Sequence, residues 1–308
     1  MTERLADIRA RINGVRQLGA VVNAMRGIAA ARVQQARSQL TAVDAYAGTI
    51  ASAIGRILSI IPADRPKDAH ESSRLALVLF GAEQGFAGAF SERVLDDAGD
   101  DLVTSSLFLI GTRGSVVASE RGLAVDWQSA MPSHSPGVPK LASRIADALY
   151  AHIATGKVDR LDVIFSEWHP GRGIHVERRR LFPFDRTQFH DGGIATDMPL
   201  LNLAPDALLR ELASEYLHAQ ICNAALHAFA AEHQARMEAM AAARSQIERE
   251  LTSLEATQRH IRQEEITAEI IELAAGETAS RSDRDQAGYR ARHQRNGPAI
   301  PDVRSPLP

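Results

Sequence analysis

The chain has 308 residues, of which 45% are hydrophobic, 24% charged and only 5% aromatic, and its formal net charge is -3. That length holds one large domain or two ordinary ones, and few aromatics beside abundant Ala, Arg, Glu and Gln is what long helices produce, because their surface outweighs their core. The charge leaves no global electrostatic case for nucleic acid, and the single cysteine, Cys222, excludes a disulfide framework or a multi-cysteine metal site.

No apolar run reaches 18 residues, so no transmembrane segment is expected. The opening MTERLADIRARI carries acidic residues where a secretory signal needs an apolar core. Both point to a soluble protein kept in the cytoplasm. Cys222, within HAQICNAALHAF, reads as a small side chain buried on a helix.

From Leu5 the apolar residues step by three or four through Ile8, Ile12, Val15, Leu18, Val22, Met25, Ala29, Val33, Ala36, Leu40 and Val43. This is a heptad-like seam, and it continues through AYAGTIASAIGRILSII until Pro62. A helix of about 55 residues spans roughly 80 Å. Glycines 14, 19, 27, 48 and 55 each weaken it by up to about 1 kcal/mol, so it needs a partner.

PADRPKDAHESS, from Pro62, is a polar linker. RLALVLF (74–80), LFLIGTRG (107–114) and LDVIFSEWHP (161–170) then read as buried strands, with HVERRRLFPF (175–184) as a fourth. AFSERVLDDAGDDL and VPKLASRIADALYAHIATG between them have helical periodicity, which predicts an α/β domain with mostly parallel pairing.

At Pro205–Asp206, a good helix start, the helical pattern resumes, and neither proline nor glycine intervenes before Gly276. Its seam follows Leu208, Leu212, Ala219, Leu226, Met237, Met240, Ile247, Leu251, Leu254, Ile261, Ile270 and Leu273. A helix of about 70 residues would run roughly 105 Å and needs a partner along its length. The last segment holds four prolines and six arginines against three aspartates, and reads as disordered. The expected organisation is a coiled-coil helix over 1–61, a Rossmann-like α/β domain over 62–203, a second coiled-coil helix over 204–279 and a tail over 280–308. The two terminal helices are expected to pair antiparallel.

The candidate chemistry is thin. GAEQGFAGAF (81–90) sits between strand and helix, where a phosphate loop would lie, but Gly81, Gly85 and Gly88 have the wrong spacing for a dinucleotide fingerprint and no lysine follows for a P-loop. A plain strand-to-helix turn fits better. EWHPGRGIHVERRR gathers Glu167, His169, His175 and Glu177 without a standard ligand spacing. The run Arg178 to Arg180 reads as solvated charge on a strand edge, and Ser133–His134 lacks any hydrolase context. No catalytic site, cofactor or metal is expected.

The two ends carry a resemblance. DIRARINGVRQLGAVVNAMRGIAAARVQQA resembles the N-terminal helix of the gamma subunit of F-type ATP synthases at Asp7, Ile8, Arg9, Arg11, Ile12, Val15, Ala24, Met25, Ala29 and Ala30. EHQARMEAMAAA is similar to the family's C-terminal helix at Glu232, Ala235, Arg236, Met237, Ala239 and Met240. RQEEITAEIIELAAG is similar to its closing signature at Arg262, Gln263, Ile266, Thr267, Glu269, Glu272 and Gly276. Gly85 and Gly88 stand in the family's glycine-containing loop, and the resemblance covers about residues 4–279. Asn23, Gly27, Ile28 and Glu277 depart from the family pattern, as they would in a divergent branch such as an alternative, sodium-translocating bacterial F-type ATPase.

The resemblance implies a non-catalytic rotor shaft. Its expected partners are the alpha and beta subunits of the catalytic hexamer, the epsilon subunit and the membrane c-ring, at the cytoplasmic face of the bacterial inner membrane. It implies beta-subunit contacts at Met25, Arg236, Gln263 and Thr267. The reading from another class is a structural coiled-coil adaptor with an inserted α/β module; a phosphate-using enzyme is a more distant third.

Overall fold

The structure, a computed structural model, describes residues 2–61, 74–184, 189 and 201–295, with side chains over 4–61, 74–184, 189 and 201–277. The linker expected from Pro62 (62–73) and the end of the tail (296–308) lie outside the described residues. The elements in chain order are α1 (Thr2–Leu58), β1 (Leu75–Phe80), α2 (Phe90–Ala98), α3 (Asp101–Thr104), β2 (Ser106–Ile110), α4 (Thr112–Glu120), β3 (Trp127–Ser129), α5 (Val138–Ala154), β4 (Arg160–His169), β5 (Gly173–Phe182) and α6 (Pro205–Arg295). They form two units, residues 20–245 and the two chain ends, 1–19 with 246–308.

In the larger unit the sheet order is β3-β2-β1-β4-β5. The first four strands are parallel, as their continuous apolar runs predict, while β4 and β5 are antiparallel. A short turn explains the exception. Gly171 and Gly173 both take φ +78° in HPGRG, and a tight reversal can join only antiparallel strands, whereas parallel ones need a crossover.

Strand β1 is buried at all six positions because both sheet faces are covered. Ala76, Val78, Phe80, Phe108, Ile110, Leu161, Val163 and Phe165 meet α5 and α6 on one face. Leu77, Leu79, Leu107, Leu109 and Ile164 meet α2 and α4 on the other. Helix α5 presents Leu141, Ala142, Ile145 and Leu149 at helical spacing.

Within 107–114 the apolar run is the strand: β2 stops at Ile110, before Gly111, and α4 begins at Thr112. Three glycines cross there. Gly111 has φ +109°, and a Cβ on it would lie 2.5 Å from the Gly81 carbonyl oxygen; one on Gly81 would lie 2.9 Å from the Gly114 Cα. Only glycine permits that backbone angle and approach. The three-residue β3 is too short to show as a pattern.

Within the same unit, α1 and α6 run antiparallel. Asn223 Nδ2 donates to Asp44 Oδ1 at 2.6 Å, and Arg244 Nη1 to Asn23 Oδ1 at 3.4 Å. Buried Ala29 and Ala36 on α1, and Ala224, Ala225, Ala228 and Ala231 on α6, keep this packing close. The stretch of α6 from 219 to 236 is buried nearly all round, because it lies under α1 on one side and the sheet on the other.

In the smaller unit Ile247, Leu254 and Ile261 are each 8% exposed, a seven-residue repeat that forms a coiled-coil seam, and Ile12 is buried on α1. Arg11 pairs with Glu250 at 2.9 Å and Arg16 with Glu255 at 2.7 Å; being exposed, each contributes under about 1 kcal/mol. A Cβ on Gly19 would lie 3.3 Å from Ile247 Cγ2. Ile270 and Leu273, expected in the seam, are 60% and 74% exposed. The α6 backbone stays helical to Arg295, well into the segment read as disordered; the first proline after Gly276 is Pro298.

Candidate functional site

Of the four residues implied as partner contacts, Arg236 is placed differently from the rest. It is 4% exposed and its guanidinium is consumed inside the chain. Nε donates to the Gly85 carbonyl at 3.2 Å, Nη2 to the Gln84 carbonyl at 3.1 Å and to Glu232 Oε1. Nη1 lies 2.7 Å from His233 Nδ1. Arg236 is therefore a clamp on the β1–α2 loop, not a surface contact: the helix that carries it is sandwiched at this point.

The clamp has an acidic half. Glu232, 2% exposed, accepts from the Glu83 N–H at 2.9 Å on Oε2 and from the Gln84 N–H at 3.2 Å on Oε1. The side chain of Glu83 turns the other way and accepts from the Thr112 N–H (3.0 Å), the Thr112 hydroxyl (2.8 Å) and the Met131 N–H (2.8 Å), which ties the loop to the start of α4. Glu232 and Arg236 sit one helical turn apart, so both reach the same loop. Burial pushes the His233 imidazole down to about 3, and the charges of Arg236 and Arg32 add to this. His233 is thus neutral, with Nδ1 free to accept from Arg236.

The loop so held raises Phe86 to solvent. It is 66% exposed and takes φ +62°, the one non-glycine in the left-handed region among the described residues. A cavity of about 490 Å³ opens beside it, lined by Gln84, Gly85, Phe86, Glu92 and Arg113 among others. The turn reading of 81–90 is thus correct, but its anchors, 150 residues downstream, had no signal in the local pattern.

Met25 is half-buried on α1, between Val21 (54% exposed) and Ile28 (55% exposed) on one helical face. Gln263 and Thr267 are exposed on α6, and the Thr267 hydroxyl donates to the Gln263 carbonyl at 2.8 Å. Asn23 Oδ1, one of the family departures, accepts from Arg26 and Arg244, each at 3.4 Å.

The run Arg178 to Arg180 is not simply solvated. Arg178 bridges Asp162 and Asp101, at 2.8 and 2.6 Å. Arg179 donates to Gln220 and Asn223 and lies over the Phe165 ring, 5.1 Å from its centre. Asp162 is 2% exposed. Burial pushes its carboxyl up, but hydrogen bonds from Arg160 and Arg178 outweigh this and hold it below the usual carboxylate range.

Glu167 lies 3.4 Å from His227 Nδ1 and 3.7 Å from His169 Nε2, and His175 faces Glu167 across the ladder. Among the described residues, no group of three or more His, Cys, Asp or Glu side chains is disposed to hold a metal ion, and no helix is long and apolar enough to cross a membrane. Cys222 is buried on α6, which pushes its thiol up to about 12.

A sequence model of the ATP synthase family matches residues 4–279. The chain belongs to the ATP synthase gamma family. The gamma chain of Parafrankia sp. is 28% identical over 298 residues, covering 91% of this chain and 98% of that one. The gamma chain of Frankia casuarinae is 29% identical over 294 residues, with the same shares. In the rotor of the Euglena gracilis mitochondrial ATP synthase, a chain matches with a TM-score of 0.61 at 14% identity, covering 86% of this chain and 100% of that one. A chain of the Tetrahymena thermophila central stalk and c-ring gives 0.51 at 17%, over 72% and 99%. These likenesses show a shared fold.

Proposed function

We propose that this chain is the central rotor shaft of an F-type ATP synthase, coupling ion translocation through a membrane ring to ATP synthesis or hydrolysis in an alpha/beta hexamer. It carries no catalytic site of its own. Its partners are the alpha and beta subunits, epsilon and the c-ring, at the cytoplasmic face of the bacterial inner membrane. The observation that carries this reading is the family match over residues 4–279, which includes both long helices and the inserted domain.

Two surface features support it. Beyond Ile261 the α6 helix exposes Ile266, Ile270, Ile271 and Leu273 at 49 to 74%, an apolar end that calls for a covering partner. On α1, exposed Val21 and Ile28 flank half-buried Met25 in a second apolar stripe. A shaft can drive the hexamer's three states only through contacts that differ between them. We assign such contacts to Met25, Gln263 and Thr267, and to Arg236 the task of holding the Phe86 loop in place.

Co-expression with alpha and beta subunits tests the assembly: a shaft co-purifies with them and raises their ATP hydrolysis. A chain that stays apart and leaves hydrolysis unchanged is instead a structural adaptor. Within the complex, Gln263→Ala with Thr267→Ala is expected to slow coupled turnover without loss of assembly; unchanged turnover rejects the contact role.

A further inference from the structure

The sheet changes its direction of growth at β1. Strand β2 adds on one side of β1 and β4 on the other. In open parallel α/β sheets, ligands bind outside the carboxyl ends of the strands at such a switch point, and anions sit there on backbone N–H groups of the turn after β1. In this chain that turn does present two N–H groups, those of Glu83 and Gln84, but both are already taken by the two carboxylate oxygens of Glu232.

Three observations make this a built anion site rather than a chance contact. Glu232 and Arg236 are 2% and 4% exposed, so the carboxylate and its counter-charge are held away from water. The carboxylate is satisfied on both oxygens, by two backbone donors and one guanidinium, and charge-assisted hydrogen bonds are the strong class. Arg236 also donates to the Gln84 and Gly85 carbonyls, so the donors that receive the anion and the residue that neutralises it belong to one clasp.

We propose that the switch-point crevice is a small-carboxylate site and that Glu232 is its tethered ligand. The carboxylate occupies the position of a diffusible anion and fastens the Gly81–Gly88 loop to the long C-terminal helix. Glu232 is a positioning residue. It orders the loop that carries Phe86, and a free monocarboxylate of matching size can replace it. This assignment stands on the geometry alone and does not depend on the rotary reading.

Hydrogen–deuterium exchange of the full chain tests it, read at the Glu83 to Gly88 amides. Glu232→Ala is expected to speed their exchange at least roughly tenfold, and acetate or propionate at millimolar levels should return the wild-type protection. Acetamide, with the same shape and no charge, and sodium chloride at equal ionic strength should not. Glu232→Gln, which keeps the size and one acceptor oxygen, should show an intermediate loss that acetate does not repair, because the crevice stays full; it also serves if the alanine variant does not fold. Unchanged exchange in both variants overturns the proposal, as does rescue by acetamide or chloride as complete as that by acetate.

Discussion

His233 makes the stability of this chain depend on pH over a window where most proteins are insensitive. The imidazole is 4% exposed, packs edge-on against Phe229 with ring centres 4.4 Å apart, and holds Nδ1 2.7 Å from Arg236 Nη1. Burial penalises the protonated ring, and the charges of Arg236 and Arg32 oppose it further, so the folded-state pKa falls to about 3. In the unfolded chain the same group titrates near 6.5. Below that value the unfolded state binds a proton that the folded state refuses, so stability is full above about pH 6.5 and is lost as pH falls towards 3. Between pH 7 and pH 5 the loss from this residue is about 2 kcal/mol, and it grows by about 1.4 kcal/mol per further pH unit. Denaturant midpoints measured from pH 7 to pH 5, for the wild type and for His233→Asn, read the difference directly. Asparagine keeps an acceptor near Nδ1 and cannot charge. Burial also pushes His227 down, but it titrates in both proteins and cancels. Parallel stability-against-pH curves for the two would refute the assignment of a buried neutral imidazole.

Other outcomes follow from the same geometry. Gly111→Ala should cost about 2 kcal/mol or more in denaturant titrations, since it combines left-handed strain with a Cβ 2.5 Å from the Gly81 carbonyl oxygen. Asp162→Asn leaves Arg160 and Arg178 without their shared carboxylate and should cost about 2–3 kcal/mol. Because the Asp162 pKa is depressed, the wild type alone should lose this contribution as pH falls below the ordinary carboxylate range. Cys222, raised to about 12 from an ordinary 9.0, carries about a thousandfold less thiolate at pH 8 than an unperturbed thiol. A thiol reagent should therefore label it rapidly only in denaturant; fast labelling of the native chain would contradict its burial.

Arg236 and the arginine run show why parts of the candidate site were legible and others not. Gln263 and Thr267 were singled out by the family resemblance alone, and both are exposed on α6. Arg236 stands in an equally clear helical pattern, yet whether that turn of helix faces solvent or a sheet depends on residues 150 positions away. Arg178 reads as edge charge because strand alternation says nothing of Asp101, which reaches it from another helix at 2.6 Å. Glu83 carries no motif at all; its role comes from where the Gly81–Gly114 crossing puts it.

Local chemistry by itself determined the two long helices, the parallel apolar strands and the start of α6 at Pro205, because these depend on periodicity, backbone restriction and proline placement within a few residues. The family came instead from the resemblance of the motifs at both ends, not from periodicity. Only the tertiary structure decided which helix positions are buried, that Ile270 and Leu273 lie exposed, and that Glu232 and Arg236 close upon the loop after β1. Those outcomes rest on contacts between segments far apart in the chain, and a buried charge reveals its purpose only when the group that neutralises it is in view.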